Sequence, residues 1–319
     1  SFGYATLSHY KALKVVATAA ALLQAEKTAI KTNRSMKERT TLILVILALA
    51  VLTVSAKANK KDEKRVIDKL KYTITYRTKS VRDTTKLDSV GRYNYGNEDT
   101  QLEVGEKVSY FYSATRRAYM ENLLKSLDGR SVQIQGSNPA RGNLSMDFYR
   151  NYPAGKSTYL DEVLGEKFRI TEPLEQPKWD IIADSTKQIL NYDCQMARCT
   201  FKGRTWTAWF TADIPLDNGP WKLCGLPGLI LRAYDSKQQY IFDCVGMKQA
   251  GEGENITYDS KFDKYSTSTM KEFIDYQRKA LPEDIFAAKG IKIEVSEEMK
   301  SEVQQLLAKP QPSNPLELY

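Results

Sequence analysis

Cys194, Met196 and Cys199 bring three sulfur atoms into six residues, and Cys224 and Cys244 complete the cysteines within one 51-residue stretch. Soft ligands of this kind suit Cu(I). A C-x4-C spacing is nevertheless no metal signature, and residues five apart in a straight strand point to opposite faces. The sequence therefore predicts disulfides among Cys194, Cys199, Cys224 and Cys244, with three connectivities open, and assigns no metal and no cofactor. The remaining chemistry is bounded by what is missing. The one histidine is His9. If the leader described below is removed, no Ser-His-Asp triad, Cys-His dyad or His-ligated zinc can be built. Carboxylates such as Asp180, Asp184, Asp213, Asp217 and Asp235 are plentiful, but no spacing singles out an acid/base pair. There is no G-x-S-x-G elbow.

The run GPWKLCGLPGLIL, residues 219–231, mixes glycines and a proline with bulky apolar residues. It is not a phosphate loop: no Lys-Ser or Lys-Thr follows Gly228, and the next residues form a β pattern. It is too short and too broken to enter a membrane. Backbone geometry remains. Pro227 suits position i+1 of a turn and Gly228 supplies the positive φ of position i+2, so Leu226-Pro227-Gly228-Leu229 is predicted to be a type II turn feeding a buried strand. In RTWTAWFT just upstream, Trp206, Ala208 and Phe210 share one strand face and Trp209 takes the other. With Trp221, these aromatics either complete a core or line an apolar surface. Trp206, Trp209, Phe210 and Trp221 are thus the candidate ligand or partner surface.

Elements that would position these residues follow from pattern. Alternating β-formers predict strands at 72–78, 107–114, 143–150, 157–163 and 166–171, with 57–68 a solvated lead and 82–100 a loop. The pairs 192–202/204–211 and 229–234/239–245 predict two hairpins in an antiparallel meander. Helical spacing of Met120, Leu123, Leu124 and Leu127 predicts one helix. A capping box at Thr269–Glu272 starts another, and a last one covers 296–309. The fold class is mainly β or α+β: an antiparallel curved sheet with a few packed helices.

Residues 36–58 have a short basic region, an uncharged apolar run of about 15 residues and small residues at the end, the layout of a secretory signal peptide. The run is shorter than the roughly 20 residues of a membrane span, so no stable span is expected in the mature form. Residues 1–35 are read as upstream translation, and 59–319 as a single β-rich domain. Of 47 Lys plus Arg and 39 Asp plus Glu, seven and two lie in residues 1–56, so the rest carries only about +3. That removes the main support for a nucleic-acid partner, which needs a concentrated basic face.

The segment 186–236 resembles the core of the GLPGLI family. Gly225, Leu226, Pro227, Gly228, Leu229 and Ile230 form its name-giving hexapeptide. Tyr192-x-Cys194-x-x-Ala197, Gly203-Arg204, Ala208-Trp209, Ile214-Pro215 and Gly219-Pro220 match alongside, and Asn314-Pro315-Leu316-Glu317 looks like the family's usual ending. The resemblance implies an exported Bacteroidetes protein, periplasmic or outer-membrane-associated, without an established activity. The layout is also similar to LolA-type half-barrels, an analogy of architecture alone. The expectation is a binding protein of the cell envelope rather than an enzyme, holding an apolar small molecule or an outer-membrane protein. A histidine-free enzyme using carboxylates or a thiol, and a sulfur-based copper site, are the alternatives.

Overall fold

A computed structural model of the chain describes residues 63–128, 142–288 and 297–319. The expected upstream segment and signal peptide lie outside these residues. Residues 61–279 and 311–319 form one compact unit, and 280–310 fall in a second. The second unit contributes helices Pro282–Ala288 and Glu297–Leu307. Pro282 opens the first with its ring at a position that needs no N–H donor, followed by Glu283 and Asp284 at the positive end of the helix dipole.

The first unit is built on one sheet of thirteen strands. In chain order these are β1 (Lys64–Val81), β2 (Tyr95–Gly105), β3 (Ser109–Ser113), β4 (Asp147–Arg150), β5 (Lys156–Val163), β6 (Glu166–Pro173) and β7 (Asp180–Ile189). They continue with β8 (Tyr192–Phe201), β9 (Arg204–Thr211), β10 (Leu229–Asp235), β11 (Tyr240–Gln249), β12 (Asn255–Asp259) and β13 (Ser266–Thr267). The spatial order is β13-β6-β5-β4-β3-β2-β1-β11-β10-β9-β8-β7, with β12 paired to β1 off that path. All pairings are antiparallel except β13 with β6. The expected meander is present as β8 to β11, in which each strand pairs with the next.

The expectation of a curved sheet of half-barrel type fails. The sheet is open: its path ends at β13 on one side and β7 on the other, and it does not curl or close into a barrel. Its apolar face is covered instead by other segments. Trp221, Leu223 and Leu226 from the β9–β10 connection join the same buried cluster as Trp206, Phe210, Ile230 and Phe242. So do Met270, Phe273 and Ile274 from the helix Met270–Lys279, and Leu316 near the C-terminus. That helix starts at the predicted capping box, with Glu272 N donating to Thr269 Oγ1 at 3.2 Å and Thr269 N donating to Glu272 Oε2 at 2.9 Å. The helix before it, Ala114–Asp128, follows β3 directly.

Four strands escaped the sequence reading: β2, β7 and the short β12 and β13. β2 has only half its inward positions apolar: Glu98 and Thr100 are buried in line with Leu102 and Val104. Glu98 is tolerated because its carboxylate accepts from Asn143 N (2.7 Å), Leu144 N (3.0 Å) and Ser113 Oγ (2.5 Å), while Thr100 Oγ1 pairs with Thr78 Oγ1 at 2.8 Å. β7 is an edge strand, mostly exposed, and so shows no clean alternation. The charged lead before residue 72 is also strand, because Lys64–Lys69 pair with β12.

The predicted disulfides are absent: all four cysteines are free and buried. Register explains one pairing. Cys199 lies opposite Trp206 on β9, whereas Cys194 is five residues along the same strand, roughly 16 Å away at strand rise and far beyond the 7 Å a bridge tolerates. Cys244 is on β11, separated from β8 by β9 and β10. Cys224 sits in the β9–β10 connection.

Candidate functional site

The hexapeptide ends the connection of residues 212–228, which contains no helix or strand. The predicted type II turn does not form. Its closing bond would run from Leu229 N to Leu226 O, but Leu229 N donates to Ile214 O at 3.0 Å. Instead Gly228 N donates to Leu226 O at 2.8 Å, a tight three-residue turn around Pro227. The tertiary bond wins because Leu229 is already the first residue of β10. Glycine is required at 228 for two reasons: φ is 154°, and an added Cβ would lie 1.9 Å from Thr211 O. The flanking residues Leu226, Leu229 and Ile230 are each at most 2% exposed. Upstream, Asp217 Oδ1 accepts from Gly225 N, and Ile230 N donates to Asn218 O at 3.0 Å. Trp179 Nε1 reaches Cys224 O at 2.7 Å.

The candidate aromatics separate by face. Trp206 (0% exposed), Phe210 and Trp221 are core residues, with the two indoles 5.6 Å apart. Trp209 is on the opposite face, half-buried, with Lys187 Nζ 4.1 Å from its ring centre. Its cross-strand neighbours are Met196 and Arg232. From there the outer face carries charges in register: Arg232 pairs with Asp243 at 3.1 Å, Arg77 stands opposite Asp243, and Arg77 pairs with Asp99 at 3.1 Å. Met196 opposite Trp209 and Cys199 opposite Trp206 point to different faces, so CQMARC does not converge its sulfurs. Among the described residues, no group of three His, Cys, Asp or Glu side chains is placed to hold a metal ion. Burial pushes the Cys199 thiol up to about 12 and those of Cys224 and Cys244 up to about 11. Cys194 is raised by the same cause. These thiols stay protonated at neutral pH, the opposite of an activated nucleophile.

The polar centre of the region was not singled out from sequence. Arg204, 4% exposed at the start of β9, uses all five guanidinium N–H donors. Nη1 donates to Asp235 Oδ2 (3.0 Å) and Gln239 Oε1 (3.1 Å). Nε donates to Leu316 O (3.0 Å), and Nη2 to Asn314 Oδ1 and Pro315 O (2.7 Å each). Nearby, Lys222 Nζ lies 2.5 Å from Glu317 Oε1 and 3.0 Å from Glu172 Oε2. Lys202 Nζ lies 2.7 Å from Glu175 Oε2. Burial works against the charge on Lys202, but the bond to Glu175 and the charges of Glu317 and Glu172 outweigh it and raise its pKa. The one signal available in the sequence was the juxtaposition of Gly203-Arg204 with the NPLE ending in the family pattern; nothing local says that they touch. Beside these cations a small cleft between Phe148, Arg150, Glu172, Lys202 and Lys222 offers ≈ 10 Å³, about the room of one water.

A family described as "Protein of unknown function (Porph_ging)" matches residues 199–232. This stretch, which holds the end of β8, β9, the connection and the start of β10, is similar to part of that family. No curated protein matches the chain. Among solved structures, two described as "Structure of PNGF-II", in the P21 and C2 space groups, are similar at 13% and 14% identity with TM-scores of 0.43 and 0.42. Each match covers 65% of this chain and 32% of the other, so the chain spans about a third of those proteins. At this level of similarity the match bears on neither fold nor activity.

Proposed function

We propose that the chain is a member of the GLPGLI family, exported to the periplasm or outer membrane, and that it acts without catalysis by holding an envelope protein against the outer face of its sheet. The observation that carries this reading is the division of the aromatics. Trp206, Phe210 and Trp221 are almost fully buried in the core, whereas Trp209, on the other strand face, packs only partly against it and stands half-buried at the end of a row of charged side chains on β10, β11, β1 and β2. A carrier of apolar molecules needs an enclosed space of several hundred Å³, and among the described residues the cleft beside Lys222 is far smaller than that. An indole flanked by Lys187, Arg232 and Asp243 instead supplies an anchor with a charged rim, the composition of a protein interface. Membrane attachment through a helix has no support in the described residues, none of whose helices is long and apolar enough to cross a bilayer. The intact hexapeptide supports the family assignment.

Native mass spectrometry of chain 59–319 purified from an envelope fraction tests the reading. A defined complex with a second protein, lost on Trp209→Ala while the circular dichroism spectrum stays unchanged, is expected. A lipid-sized adduct on an otherwise solitary chain would favour the carrier version instead.

A further inference from the structure

The last residues of the chain are held in a way that differs from every strand in the sheet. Among the described residues one backbone–backbone bond ties them down, from Leu318 N to Lys202 O at 3.0 Å. The rest of the polar attachment is made by side chains: Arg204 and Tyr240 reach the carbonyls of Leu316, Pro315 and Asn314, and the side chains of Asn314 and Glu317 add contacts that depend on residue type. Asn314 uses both ends of its amide, accepting from Arg204 and donating to Val81 O at 2.8 Å. Its carbonyl accepts from Tyr240 OH. Leu316 is 6% exposed within the main core, and Glu317, 3% exposed, meets Lys222. At Gly203 an added Cβ would sit 2.3 Å from Leu318 O, so only glycine lets the segment lie this close.

We propose that Arg204, Lys222 and Tyr240 form a peptide-binding trench for an extended Asn-Pro-x-Glu sequence. It is filled here by the chain's own residues 314–317 and can exchange them for the same segment of a second copy. Three of the five acceptors around Arg204 come from this segment, so an empty trench leaves a buried guanidinium short of partners. Some acceptor-rich occupant is therefore always favoured. The covalent link is irregular: residues 308–313, AKPQPS, form neither helix nor strand and carry prolines at 310 and 312. A peptide supplied by another molecule can make every contact that the tethered one makes. What keeps the tail in place is its high effective concentration, and weakening the tail shifts the balance toward exchange and linked copies. The proposal uses other residues than Trp209 and its charged row, and holds whether or not that face binds a partner.

The test uses the full chain and a fluorescein-labelled synthetic peptide of residues 311–319. A chain carrying Asn314→Ala and Glu317→Gln is expected to bind the labelled peptide at least tenfold more tightly than the unaltered chain does. Adding Arg204→Lys to that chain should reduce the binding at least tenfold. A folded double variant that does not bind the peptide overturns the proposal. Should the double variant not fold, a protease site placed after Pro310 in the otherwise unaltered chain decides the matter. After cleavage the tail is expected to remain bound and to exchange with labelled peptide. A nicked tail that never exchanges, or one whose departure unfolds the sheet, shows an integral piece of core and refutes the trench.

Discussion

Residues 212–228 and 311–319 both lack regular structure, and both send side chains into the same core. They are held by different forces. The β9–β10 connection is fixed by shape: Trp221, Leu223 and Leu226 fill space, and Gly228 passes where no Cβ fits. The C-terminal segment is fixed by charge and hydrogen bonds, through Arg204, Lys222 and Tyr240. Shape fails abruptly, because a backbone clash has no partial solution. A polar attachment fails by degrees, because donors can be lost one at a time.

Gly228→Ala should produce the largest effect, a loss of at least ~4 kcal/mol, since backbone strain and overpacking act together. Soluble expression and thermal denaturation would report it; a stable, folded variant would break the claim that shape holds the connection. Trp206→Ala should cost about 3–5 kcal/mol by opening a cavity beneath Trp221, measured by urea unfolding. Arg204→Lys keeps the charge facing Asp235 but loses the fork that reaches Leu316, Pro315 and Asn314, and should cost about 2 kcal/mol. A Lys variant as damaging as Gly228→Ala would show that the two regions do not differ in kind.

Smaller effects concern Asp161, a buried carboxyl on β5 that accepts from Ser145 Oγ, Glu162 N and Tyr159 OH. Burial raises its pKa despite those bonds. The folded state therefore binds this proton more tightly than the unfolded state. The stability that the group contributes is complete below the unfolded carboxylate range and is lost as pH rises through the folded value. Asp161→Asn should thus gain on the unaltered protein in melting temperature as pH rises from about 4 to 8; a constant difference across that range would contradict the raised value. Reductant should have the least effect. With four free thiols, added dithiothreitol should leave the melting temperature unchanged, and a fall would restore the disulfides.

Local patterns in the sequence were sufficient for the β8–β11 meander and the capping box at Thr269 and Glu272, whereas glycine is needed at 228 because the chain passes Thr211 O and not because of the predicted turn. Both depend on residues close together in the chain: alternation along a strand and a reciprocal cap. The tertiary structure decided the rest. Leu229 N found Ile214 O instead of closing the expected turn. Glu98 and Thr100 became inward strand positions because Asn143, Ser113 and Thr78 satisfy them. The open sheet was covered by a loop, a helix and a tail, so it had no need to curl. Arg204 met Leu316, 112 residues away, and that encounter turned an unremarked arginine into the anchor of the C-terminus. Long-range partners satisfy buried polar groups that sequence alone reads as surface, because burial is a property of the assembled fold and not of the residue.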